Sequence, residues 1–161
     1  MDIKETYLFD SVNRILNKRI PKIAEEIQSK LLDLDKCNLF TQTKFSLGES
    51  FSQLLICWRI YIDFKQVLYD EYGVVSFLGS VISIEEHPSS EIYYFNPGNI
   101  YNGLNDELPC INKIEIRNND ANNPKLINEL IKIMCNFLNK LPYRIYEEIC
   151  IFNNIWSNNS G

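Results

Sequence analysis

A chain of 161 residues with 45% hydrophobic and 12% aromatic content can bury roughly two-thirds of its unfolded surface in one core, and it is too apolar for a disordered tail. Its formal charge of -5, from 21 acidic and 16 basic residues, argues against nucleic-acid binding as a main activity, because such binders carry dense Lys/Arg patches that displace counterions from phosphates. The most apolar run, Leu54 to Ile62, is interrupted by Arg59 and falls short of the roughly 18 residues of a membrane span.

Met1–Glu5 holds no apolar leader core, so the expectation is a soluble, cytoplasmic, single domain over 1–161. Residues 1–36 read as helical. Leu8, Val12, Ile15 and Leu16 share one face, Pro21 marks either a kink or the first position of a second helix, and Ile23, Ile27, Leu31 and Leu34 continue at intervals of three and four. Residues 39–50, with Gly48 and several hydroxyl residues, suit a connection or a short edge strand.

Residues 51–117 read mainly as strands. Leu54, Ile56, Trp58, Ile60 and Ile62 alternate with polar positions such as Arg59 and Asp63; this favours a strand over the helix that Phe51, Leu54, Leu55 and Trp58 would also fit. Val74 to Ile84 is a second strand with Gly79 at a bulge, and Ile92 to Phe95 pairs back on it after the turn His87-Pro88-Ser89-Ser90. Asn96-Pro97-Gly98-Asn99 carries a turn signal, with a long loop from Ile100 to Asn112.

Ile114 and Ile116 mark another strand. Asn123-Pro124 supplies an N-cap and a first-turn proline for a helix over 124–141, which Pro142 stops. Residues 143–152 then read as a strand, completing a strand-helix-strand crossover, and 153–161 as a frayed tail. The expected fold is α+β: a largely antiparallel sheet of four or five strands, with amino-terminal helices and the carboxy-terminal strand-helix-strand unit packed on it.

The residues of catalysis are sparse. The single histidine, His87, lies in a turn, and no nucleophile elbow, HExxH or glycine-rich phosphate loop occurs. Cys37, Cys57, Cys110, Cys135 and Cys150 form no CxxC pair and read as reduced core residues, so neither a metal site nor a cofactor is expected. Asp63-Phe64-Lys65, with Asp33 and Asp35 upstream, is the one pattern that suits Mg²⁺-assisted phosphodiester attack. It supports a small nuclease-like enzyme as an alternative, beside a non-enzymatic adaptor or effector.

Acidic doublets recur, and those at predicted strand ends have tyrosines among them. Asp70, Glu71, Glu85, Glu86, Tyr93, Tyr101, Asp106 and Glu107 are the candidate partner-binding residues, with the Asn96–Asn112 loop foremost. Carboxylates speed encounter with a basic protein surface, and aromatic rings supply buried contact.

In small size, acidity, lack of a catalytic motif and a bias toward Asn, Ile and Lys, the chain resembles bacterial immunity proteins that protect against contact-dependent growth-inhibition or other polymorphic toxins. That resemblance implies a cytoplasmic, non-enzymatic inhibitor whose partner is a cognate toxin domain, often a basic nuclease, and no nucleic acid or membrane.

Overall fold

The computed structural model describes residues 3–32, 40–49, 54–64, 74–83, 92–102, 107–108 and 114–160. A single 3₁₀ turn, Ile3–Glu5, leads into helix α1 (Tyr7–Leu32); strands β1 (Phe40–Gly48), β2 (Leu54–Phe64), β3 (Val74–Ser83), β4 (Ile92–Asn102), β5 (Glu107–Leu108) and β6 (Ile114–Arg117) follow, and a 3₁₀ segment, Asn118–Asn122, precedes helix α2 (Pro124–Ser160). The fold is α+β. Among the described residues no helix is long and apolar enough to cross a membrane.

Thr6 caps α1: its hydroxyl accepts the Phe9 N–H at 3.3 Å and its carbonyl accepts the Asp10 N–H at 3.2 Å. Asn123 caps α2 in the same way through the Lys125 N–H at 3.1 Å, with Pro124 in the first helical position, where its missing N–H costs nothing. The Tyr7 N–H also donates to Asn122 Oδ1 at 2.9 Å, so the two helix starts are tied together. Farther along, Arg19 bonds Asn139 and Lys30 stands 5.7 Å from the Tyr146 ring centroid; the helices therefore run side by side in the same direction.

Pro21, read as a kink or the first position of a second helix, lies inside α1, and Pro142, expected to stop a helix, lies inside α2. Ile20 and Ile23 continue one buried stripe across Pro21, and in α2 the stripe Met134, Leu138, Leu141, Ile145, Ile149 passes through a buried Pro142. Each proline removes one helical hydrogen bond, at a cost of about 3 kcal/mol or more. Each fully buried Leu or Ile returns about 1.5–3 kcal/mol, so the stripe prevails. The strand expected over 143–152 is therefore helix, the strand-helix-strand unit reduces to β6 followed by α2, and the expected tail is helical through Ser160.

Among the described residues the sheet has six strands, and every pairing is antiparallel. β1 to β4 form a meander, while the outer edge of β4 is shared: Ile92–Phe95 pairs with β6, and Ile100 and Tyr101 pair with β5. The turn expected at Asn96–Asn99 is a bulge inside β4. The register passes from Ile82↔Phe95 to Ser80↔Asn99, so β4 advances four residues while β3 advances two. A proline that cannot donate and a glycine that cannot pack are tolerated at such a point.

One sheet face holds the core. Ile56, Trp58, Ile60 and Ile62 on β2, Phe77 and Ile82 on β3, and Phe95 and Ile100 on β4 join the apolar stripes of both helices in a single cluster. Gly79 is not at a bulge: it pairs with Trp58, whose indole occupies the space above it. A Cβ at position 79 would lie 2.2 Å from Trp58 Cε2. Gly79→Ala should lower unfolding free energy in urea by roughly 1–3 kcal/mol or more, as expected of overpacking. At Gly48 an added Cβ meets nothing within 4 Å, so Gly48→Ala should stay within about 0.5 kcal/mol of the parent. Equal effects at the two positions would refute this packing account.

Candidate interaction face

Because strand side chains alternate, a sheet covered on one face presents a second set of residues on the other. On β2 that set is Cys57, Arg59, Tyr61 and Asp63, all half-buried, between the fully buried members of the core set. The antiparallel register extends it across the sheet. Ser46 on β1 pairs with Arg59, Arg59 with Leu78 on β3, Leu78 with Tyr101 on β4, and Tyr101 with Glu107 on β5. A parallel row runs Lys44, Tyr61, Ser76, and another runs Gly48, Cys57, Ser80, Asn99.

The candidate residues read from the sequence divide three ways. Tyr101 and Glu107 are brought into direct cross-strand register, in strands and not in the expected long loop. Tyr93 is only 7% exposed and pairs with Ile116 on the core face, so it belongs to the packing and offers a partner little surface. Asp70, Glu71, Glu85, Glu86 and Asp106 lie outside the described residues, as do His87, Cys37 and Cys110. Of the metal-site alternative, Asp63 closes β2 opposite Val74, while Lys65, Asp33 and Asp35 are outside the described residues. Among the described residues no group of three or more His, Cys, Asp or Glu could hold a metal ion.

Ser46, Arg59, Tyr61 and Leu78 were not anticipated as interaction residues, although the polar members of the 54–63 alternation marked the face. Tyr61 is the hub of a small polar cluster. Its hydroxyl lies 3.4 Å from Ser46 Oγ and accepts a long bond from Arg59 Nη1 at 3.5 Å, and the guanidinium sits 5.7 Å from its ring centroid. The bonds from Ser46 and then Arg59 favour the phenolate and hold the Tyr61 pKa below its ordinary value of 10.0.

Cys57 donates to the Gly48 carbonyl at 3.3 Å. Burial raises its thiol pKa, against a smaller lowering by the Arg59 charge. Cys57, Cys135 and Cys150 are free thiols, and all are half-buried where core positions were expected. Beside Arg59 a hollow of about 160 Å³ is lined by Ser46, Leu47, Gly48, Cys57, Trp58 and Leu78. No known family model, curated protein or solved structure matches the chain.

The cluster carries a sign test. Arg59→Gln removes a donor and a positive charge that both favour the Tyr61 phenolate, so its titration should move up toward 10.0. The same change removes the charge that opposes the Cys57 shift, so the thiol should rise further. Ultraviolet phenolate absorbance, with Tyr61→Phe as the blank, reads the first; the pH dependence of Cys57 alkylation, followed by peptide mass spectrometry, reads the second. A downward move of either group would contradict the geometry.

Proposed function

We propose that this chain is an immunity-type inhibitor that binds a cognate bacterial toxin domain, most naturally a basic nuclease, and neutralises it by protein–protein contact without chemistry of its own. The observation that carries this reading is the cross-strand register of Tyr101 with Glu107, in line with Leu78 and Arg59. An aromatic residue, an aliphatic residue and an acid in one register supply the residue types of a contact patch, an anchor and a charge guide.

The net charge of -5 favours a basic partner by long-range attraction, and carboxylates at the β4–β5 end would stand where nucleic-acid phosphates otherwise bind the toxin. Asp106 adjoins Glu107 in the chain and doubles the charge there. The inhibitor would act in the cytoplasm, where such a toxin meets its substrate. It needs no cofactor, and its affinity comes from shape and charge.

The test begins with the gene beside this one, which should encode the toxin. Co-expression of the two should restore growth, and the purified pair should form a salt-sensitive complex. Glu107→Lys and Asp106→Ala should chiefly slow association and weaken its salt dependence. Tyr101→Ala should instead speed dissociation, by about 2 kcal/mol or more if it is a hot spot. Protection that survives all three substitutions at wild-type affinity would remove the interface from this end of the sheet. A neighbouring product that is neither toxic nor bound would remove the immunity role.

A further inference from the structure

Arg59 lies in the middle of the cross-sheet row. Among the described residues its buried Nε has no hydrogen-bond partner, and its Nη1 makes a long contact with Tyr61. Among the described residues no carboxylate pairs with it. Glu49, an acid whose charge is felt at Cys57 together with that of Arg59, is held by Lys4 at 2.8 Å.

A half-buried guanidinium with an unmet donor is an expensive arrangement in a free protein, and an acidic chain has carboxylates with which to satisfy it. This one is instead propped by Tyr61 at the rim of the 160 Å³ hollow, a space equal to about five liquid waters at ~30 Å³ each. The planar guanidinium fits a carboxylate with two parallel N–H bonds, and partial exclusion of water strengthens such a pair.

We infer that this hollow receives an acidic side chain, Asp or Glu, of the protein partner, which pairs with the Arg59 guanidinium. The inference rests on the proposed reading that this face binds a protein, and it adds polarity to it. Arg59 on β2 and Glu107 on β5 lie at separated points of one row, with Leu78 and Tyr101 between them. A partner that places an acid over β2 and a base over β5 fits in one orientation only. Rotated by half a turn, it sets like charges against each other. The basic partner is therefore recognised through an acid that it also carries, which separates it from other basic proteins.

The experiment needs no toxin. Guanidinium N–H signals of Arg59 are followed by NMR in the intact chain during titration with the blocked tripeptide acetyl-Ala-Glu-Ala-amide, its Gln counterpart, and inorganic phosphate, all at constant ionic strength. The Glu peptide should move the Arg59 signals saturably, together with the backbone amides of Gly48 and Cys57, and the Gln peptide should not. Arg59→Lys, which keeps the charge but loses the planar fork, should bind roughly tenfold more weakly.

Phosphate acting as well as the Glu peptide would mean a general anion site and overturn the assignment to an acidic side chain. No saturable response would overturn it outright. Either failure leaves the toxin-protection test standing, and failed protection would leave a measured Arg59 response unexplained by immunity.

Discussion

Among the described residues, the fold depends on one sheet face that packs against both helices. The helices run in the same direction and meet one apolar surface, so the residues of β2 to β4 that point toward them are committed to packing. Trp58 is the keystone of that surface: the largest buried side chain of β2 lies flat against a neighbouring strand because position 79 has no side chain. Period-two geometry then commits the alternate residues to the opposite side, whatever their chemistry. The second face is a consequence of the first.

That consequence explains the distribution of charge. The acids of α1 and α2, such as Glu25, Glu26 and Glu147, occupy the exposed backs of the helices, where they offset the apolar stripe and keep the layer hydrated. The cross-sheet register has a sparser, ordered set: a cation with its tyrosine on β2, an aliphatic residue in register on β3, and an aromatic residue in register with an acid on β4 and β5. A solvated surface needs no such order. A row of single residues of different character, spaced by the strand separation of about 4.8 Å, can set the register of a docked surface.

The parts of the fold legible in the sequence were those governed by local rules. Asn123-Pro124 announced the start of α2 because capping is decided within one turn, and the alternation of 54–62 announced β2 because each residue reports its own face. Pro142 and Asn96-Pro97-Gly98-Asn99 misled for the same reason. Their local signals for a stop and a turn were true of isolated peptides, but Ile145 and Ile149 had core to bury, and β3 and β6 were present to hold β4 extended around its bulge. The candidate site shows the same limit. Tyr93 and Tyr101 both read as available aromatics, and only strand register separates them, because it sets one against Ile116 in the core and the other against Glu107. Arg59 was visible as an interruption in an apolar run, but that no carboxylate among the described residues pairs with it is a tertiary fact.

A binding surface built on the wet face of a sheet has an evolutionary property that a cleft lacks. Substitutions at the exposed positions Lys44 and Ser46 do not enter the helix-facing core, and surface changes of this kind usually shift stability by less than about 0.5 kcal/mol. Specificity can therefore change residue by residue without passing through an unfolded intermediate. The half-buried members are the exception. Arg59 cannot be replaced freely, because it lines the same hollow as Cys57 and Leu78 and contributes, behind burial and the Ser46 bond respectively, to the titration of Cys57 and Tyr61. On the proposed reading, the face combines adjustable outer positions with one constrained cation, and the constrained position would be held while the surrounding ones track a changing partner.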